Sequence, residues 1–224
     1  MRRLLLVRHG STAAVRAAAF GADEPLDDSG VAGAARLRAR LPRGEILASP
    51  TRRAVDTASA LGACRIVHEL AECDFGTWAG LTLRDVDPAD LGAWMNDPDA
   101  VPHGGESLTA LLARVARWLD EQASLDGTAV AITHGGVIKA AVVHALAAPP
   151  SAFWRIDVSP LSITELHAHD GRWTVTRVND GEERAAAAGG EPPARITGAA
   201  SGGGASSAAG ASEEGRTAAV EVRA

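Results

Sequence analysis

Four short polar strings in this chain each follow an apolar run. Arg8-His9-Gly10-Ser11-Thr12 follows Leu4–Val7, and Ser49-Pro50-Thr51-Arg52-Arg53 follows Glu45–Ala48. His68-Glu69-Leu70-Ala71-Glu72 follows Arg65–Val67, and His134-Gly135-Gly136 follows Thr128–Thr133. Among them His9, His134, at least two arginines and Glu72 form a set that suits phosphoryl transfer. Arginines offer a phosphate planar, paired donors. Glycines after each histidine let backbone N–H groups approach an anion, and helix N-termini add partial positive charge. A neutral imidazole is a nucleophile towards phosphorus. A second histidine, kept protonated by the bound anion, would stabilise charge on the transferring oxygens. Glu72 would protonate the leaving oxygen and later deprotonate water.

These strings need elements to bring them together. Leu4–Val7 is apolar throughout, as in a strand buried on both faces. The pattern predicts helices over Ser29–Leu41, Thr51–Leu61, Leu108–Gln122 and Val137–Ala147. Asp27 or Asp28 and Ser107 serve as N-caps, and Gly62 and Pro149 lie just past helix ends. It predicts further strands at Glu45–Ala48, Arg65–Val67 and Thr128–Thr133. Ser162–His167 and Trp173–Val178 flank Asp170-Gly171, a type I′ hairpin signal. Strands alternating with helices give an α/β fold. It is expected to be a three-layer sandwich with a mainly parallel central sheet, an antiparallel edge hairpin and a small cap over the strand carboxyl ends. In such sheets ligands bind beyond those carboxyl ends, where the four strings lie.

Composition narrows the partners. The chain has 224 residues and a net charge of −6, from 22 basic and 28 acidic residues, so tracking along a nucleic acid backbone is not expected. No stretch approaches the roughly 18 apolar residues of a membrane span, and the apolar run near Met1 is too short for a signal-peptide core. The expectation is a cytoplasmic protein, a monomer or homodimer, whose partner is a small-molecule phosphate ester and not a nucleic acid or membrane. Two cysteines, Cys64 and Cys73, make no disulfide framework, and with His68 they match no standard zinc spacing. No metal and no cofactor are expected. Residues 1–180 are read as the folded domain. From Gly181 to Ala224, 27 of 44 residues are Ala, Gly or Ser, so 181–224 is read as a disordered tail.

Five motifs occur in order. They are Arg8-His9-Gly10, Ser49-Pro50-Thr51-Arg52-Arg53 through Ala58, Leu70-Ala71-Glu72-Cys73-Asp74-Phe75-Gly76-Thr77-Trp78, Gly104-Gly105-Glu106-Ser107, and Thr133-His134-Gly135-Gly136. Together they resemble the histidine phosphatase (phosphoglycerate mutase-like) superfamily, from about Arg3 to Val178. The resemblance implies His9 as the nucleophile that becomes phosphohistidine. It implies Arg8, Arg53 and His134, with the Gly135 backbone, as the phosphate pocket, and Glu72 as proton donor. Family spacing selects Arg53 and leaves Arg52 an ordinary helix residue. Two positions depart from the pattern: Val15 stands where an asparagine often touches the phosphate, and Ala79 where a glutamate is usual. Ser11 and Arg16 are the neighbours that could compensate for Val15. Glu106 is read as a helix-start residue with a possible pocket role.

Three functions compete: a metal-independent phosphomonoesterase, a mutase returning the phosphoryl group to a hydroxyl, and a silent phosphate-binding module. The filled catalytic positions disfavour the module. Only 61 residues separate Glu72 from His134, with an Asp/Pro-rich stretch at Asp85–His103. So short a cap favours hydrolysis over mutase chemistry, which must exclude water. The run from Phe75 to Ser107 resembles the α-ribazole phosphatases, which makes α-ribazole 5′-phosphate one candidate substrate.

Overall fold

The computed structural model describes residues 1–181. Its centre is a six-stranded sheet in the order β3-β2-β4-β1-β5-β6. The strands are β1 (Arg2–Arg8), β2 (Glu45–Ala48), β3 (Arg65–Ile66), β4 (Gly127–Thr133), β5 (Ile163–His169) and β6 (Arg172–Asp180). β1 to β4 run parallel, while β5 is antiparallel to both β1 and β6. The closing hairpin thus adds the antiparallel edge expected of it. Asp170 (φ 49°) and Gly171 (φ 72°) both take the left-handed conformation that a type I′ turn requires.

The helices are α1 (Ala13–Ala17), α2 (Asp28–Leu37), α3 (Arg52–Ser59), α4 (Pro88–Asn96), α5 (Leu108–Ala123) and α6 (Gly135–Ala145). Side chains alternate across β1 and divide the core into two layers. Leu4 and Leu6 join Leu111, Val115 and Leu119 of α5 and Val137, Ile138 and Ala141 of α6. Leu5 and Val7 join Leu37 of α2 and Ala54 and Ala58 of α3 on the other face. All four β1 residues are fully buried, as their unbroken apolar run requires. Trp118 packs in the first of these layers.

Two helices escaped the sequence reading. The Asp/Pro-rich stretch is not shapeless, because α4 forms within it. Asp87 caps its start, accepting from Ala89 N at 2.7 Å, and Pro88 occupies the first turn. Its buried residue is a single tryptophan, Trp94, too little to register as a hydrophobic stripe. α1 is five residues long and buries none of them. Helix ends also move. α2 stops at Leu37 and continues as one 3₁₀ turn at Arg38–Arg40, and α6 starts two residues earlier than expected, directly after His134.

Phe20, Trp78, Val86 and Trp94 form a third, separate cluster: the cap. Backbone bonds from Phe20 N to Leu81 O (2.9 Å) and from Gly80 N to Phe20 O (2.8 Å) join its two parts. Gly76 adopts φ +46°, and a Cβ there would overlap the carbonyl of His103, so the turn into the cap demands glycine. Among the described residues no helix is long and apolar enough to cross a membrane. The tail read at 181–224 lies, beyond its first residue, outside the described residues.

Candidate active site

Strand register builds the centre. Parallel pairing sets Arg8 opposite Thr133, so the next residues, His9 and His134, leave the sheet side by side. Their ring centroids are 5.1 Å apart, and His9 N donates to Thr133 O at 2.8 Å. Both are buried, at 3% and 0% exposure. On the other side of β4, Ser49 N donates to Ile132 O at 2.9 Å, which seats the Ser49 side chain beneath His134.

The partners assign the protons. His9 Nδ1 lies 2.8 Å from Gly10 O, which can only accept, so Nδ1 carries the hydrogen and Nε2 the lone pair. Arg53 Nε donates to that Nε2 at 3.2 Å. Arg53 Nη2 also donates to His134 Nδ1 at 3.2 Å, which leaves His134 Nε2 to donate to Ser49 Oγ at 2.7 Å. Both rings are therefore neutral as they stand. Burial pushes the His9 pKa down to about 3, helped by the Arg53 and Arg8 cations. Burial likewise holds His134 well below its ordinary value, helped by His9, Arg53 and Arg8. The protonated His134 expected from sequence thus requires the charge of an incoming anion.

Two arginines face these rings. Arg53 sits in the first turn of α3, and its third donor, Nη1, binds Ala22 O at 2.6 Å. Thr57, one turn later, accepts from Gly10 N at 3.0 Å and donates to Arg53 O at 2.7 Å, so the loop that follows His9 is pinned to the same helix. Arg8 donates through Nη1 to Val158 O at 2.7 Å. Its Nε is a buried donor with no partner among the described residues, the kind of demand that an anion meets. A Cβ on Gly135 would lie 3.7 Å from that Nε, so glycine keeps the space over the guanidinium open.

Glu72 completes the cleft. It accepts from Cys73 N at 3.0 Å and, more weakly, from Gly136 N at 3.4 Å in the first turn of α6. A Cβ on Gly136 would overlap its carboxylate. The loop carrying Glu72 is clamped by Arg114, which donates to Glu69 O (2.6 Å) and Ala71 O (3.0 Å). Thr133 Oγ1 adds a bond to Leu70 O at 2.7 Å. Arg8, His9, Arg53 and Glu72 meet in a cleft of about 180 Å³, whose outer wall includes Val15, Glu24 and Phe75.

Other predicted residues lie elsewhere. Ser11 Oγ and Arg16 Nη1 both donate to Asp27 Oδ2, at 2.8 and 2.6 Å, and neither lines the cleft. Asp27 also caps α2 through Gly30 N at 2.8 Å, so both side chains are engaged at the start of that helix; His134, fully buried, and Gly135 do not line the cleft either. Glu106 forms a paired salt bridge with Arg114 (2.9 and 2.7 Å), outside the cleft. Through that pair it holds the arginine that binds the carbonyls of Glu69 and Ala71, next to Glu72 in sequence. Arg52 is exposed and pairs with Asp56, one turn on. The sequence reading missed Arg114, Thr57 and Glu24. Of these, Thr57 lies within a quoted motif, four residues after Arg53, and its helical spacing was the available signal. Among the described residues no group of three or more His, Cys, Asp or Glu side chains is placed to hold a metal ion.

The arrangement matches a known family. The family model described as "Histidine phosphatase superfamily (branch 1)" matches residues 4–181, most of the chain. The chain belongs to the histidine phosphatase superfamily. As a histidine phosphatase it is 38% identical over 197 residues to the "Bifunctional protein Rv2228c" of Mycobacterium tuberculosis. That match covers 79% of this chain but 53% of the relative, so the chain spans about half that protein's length. It is 35% identical over 179 residues to the glucosyl-3-phosphoglycerate phosphatase of Mycolicibacterium vanbaalenii, covering 70% of this chain and 79% of that one. Among solved structures, a proposed α-ribazole-5′-P phosphatase from Escherichia coli superposes with a TM-score of 0.71 at 26% identity. The match covers 81% of this chain and 98% of the other.

Proposed function

We propose that this protein hydrolyses phosphomonoesters of a small metabolite through a phosphohistidine on His9 Nε2. The observation that carries the reading is the tautomer of His9. Gly10 O holds the Nδ1 hydrogen, so Nε2 carries the lone pair, which accepts from Arg53 Nε until the phosphoryl group takes that donor over. The phosphoryl group enters between Arg8, Arg53, His134 and the N–H groups that begin α6. His9 Nε2 attacks phosphorus, the ester P–O bond breaks, and the Glu72 carboxyl gives its proton to the leaving oxygen. Glu72, now a carboxylate, takes a proton from water. The water oxygen then displaces phosphate from His9 and restores the lone pair on Nε2. The dianion's charge offsets the cost of protonating His134, which then donates to a transferring oxygen.

We read the protein as a monomer or homodimer. Its two cysteines are free thiols, which suits the cytoplasm. The relatives' names raise glucosyl-3-phosphoglycerate as a substrate. The α-ribazole-like run between Phe75 and Ser107 raises α-ribazole 5′-phosphate. His9→Ala should abolish turnover of p-nitrophenyl phosphate and the acid-labile phosphoenzyme trapped by rapid quench, in a protein with an unchanged circular dichroism spectrum. Full activity in that variant overturns the mechanism.

A further inference from the structure

Besides Arg8, His9, Arg53 and Glu72, the cleft is lined by the apolar side chains of Ala14, Val15, Ala18, Phe20 and Phe75 and by one further carboxylate, Glu24. Val15 carries no hydrogen-bonding group, so Glu24 is the polar side chain that this set of lining residues adds.

Glu24 is held in place by its neighbours on both sides. The Thr12 hydroxyl donates to its Oε1 at 2.6 Å while accepting from Val15 N at 3.2 Å, which fastens the carboxylate to the start of α1. The preceding residues are tied to α3: Ala22 O accepts from Arg53 Nη1 at 2.6 Å, and Asp23 Oδ1 accepts from Arg52 N at 2.6 Å. Glu24 N donates to Ala22 O at 3.1 Å. A Cβ on Gly21 would sit 3.2 Å from Arg53 Nη2, so this loop packs closely on the guanidinium. The segment is therefore registered on the arginine that is to hold the phosphate. Glu24 is thus a half-buried carboxylate that lines the same cleft as His9 and both arginines, and the Thr12 hydrogen bond engages its Oε1.

We infer that Glu24 selects the leaving group: it favours phosphomonoesters that carry hydrogen-bond donors there, an ammonium or sugar hydroxyls, and rejects those that carry a carboxylate. The inference rests on the phosphatase reading above. The physical basis is pairing. On the phosphatase reading Arg8 and Arg53 serve the phosphoryl oxygens, so a second anion on the ester would share the cleft with Glu24 and find no further arginine or lysine among the lining residues. A donor in the same place gains a charge-assisted hydrogen bond. Of the two esters raised above, α-ribazole 5′-phosphate is the one without a carboxylate.

A matched series tests this on the full chain. O-Phosphoethanolamine, propyl phosphate and phosphoglycolate differ at the end of a short leaving group that is cationic, neutral or anionic. Each competes with p-nitrophenyl phosphate, and the inhibition constant is measured for the wild type and for Glu24→Gln, which keeps the acceptor for Thr12. The wild type should bind them in the order ammonium, neutral, carboxylate. Glu24→Gln should compress the ratio of the two extremes by about fivefold, the scale of a half-exposed ion pair. The ratio is taken within each variant, so any change common to all ligands cancels. An unchanged ratio in Glu24→Gln, or a wild type that prefers phosphoglycolate, overturns the assignment. Failure of the wild type to hydrolyse p-nitrophenyl phosphate, or of all three esters to compete, overturns the phosphatase reading itself.

Discussion

Two histidines buried as neutral rings make this fold sensitive to acid, and the size of the effect follows from His9. Its pKa is about 3 in the folded protein and near 6.5 in an unfolded chain. Between those values the unfolded chain binds a proton that the folded one refuses, so stability is complete above pH 6.5 and falls as pH drops towards 3. Each pH unit in that window costs about 1.4 kcal/mol, so by pH 5 His9 alone costs about 2 kcal/mol. That is a sizeable part of a typical domain's 5–15 kcal/mol. Urea unfolding of the wild type and His9→Gln at pH 7 and pH 5 isolates this contribution. Glutamine has no titrating group, and His134 and the carboxylates titrate in both proteins. The wild type should lose about 2 kcal/mol more than the variant, a midpoint difference of roughly 1 M urea. Nuclear magnetic resonance should also find the His9 ring neutral at pH 5. If both proteins lose the same stability, His9 is not held neutral, and the tautomer argument for its nucleophilic Nε2 loses its support.

Two further substitutions separate the roles around it. Glu72→Gln should cost about 10²–10⁴ in kcat on alkyl phosphates, whose alkoxide leaves poorly. It should cost far less on p-nitrophenyl phosphate, and an equal loss on both would mean that Glu72 positions substrate and donates no proton. Arg53→Lys keeps the charge but cannot serve His9, His134 and Ala22 at once. It should lower kcat by about 10²–10³ in steady-state assays, as removal of a preorganised donor does, and wild-type kcat would show that charge alone suffices.

Much of this site was legible before any coordinates, because its ingredients are local. An unbroken apolar run such as Leu4–Val7, bounded by polar residues, reads as a short strand buried on both faces, and the residue that follows such a strand emerges at the sheet's carboxyl edge. Ser107 and Asp27 mark helix starts by the acceptors they offer, and the structure shows both capping. Such features depend on neighbours within one turn or one strand, so reading along the chain finds them. The α4 helix was missed for the same reason in reverse: its stability comes from Trp94 packing in an aromatic cluster with Phe20 and Trp78, residues far away in sequence.

What the tertiary structure alone decided is which of these local pieces touch. Sheet order puts β4 between β1 and β2, and register aligns Arg8 with Thr133. Only then does Arg53 reach both histidines and Ser49 reach His134, across 44, 81 and 85 positions of sequence. The same holds for Ser11 and Arg16, drawn away by Asp27, and for Glu106, which pairs with Arg114. Residue types state what chemistry is available. Side-chain hydrogen bonds reach about 3 Å, so small differences in how the layers pack choose which donor meets which acceptor, and no pattern along the chain encodes that choice.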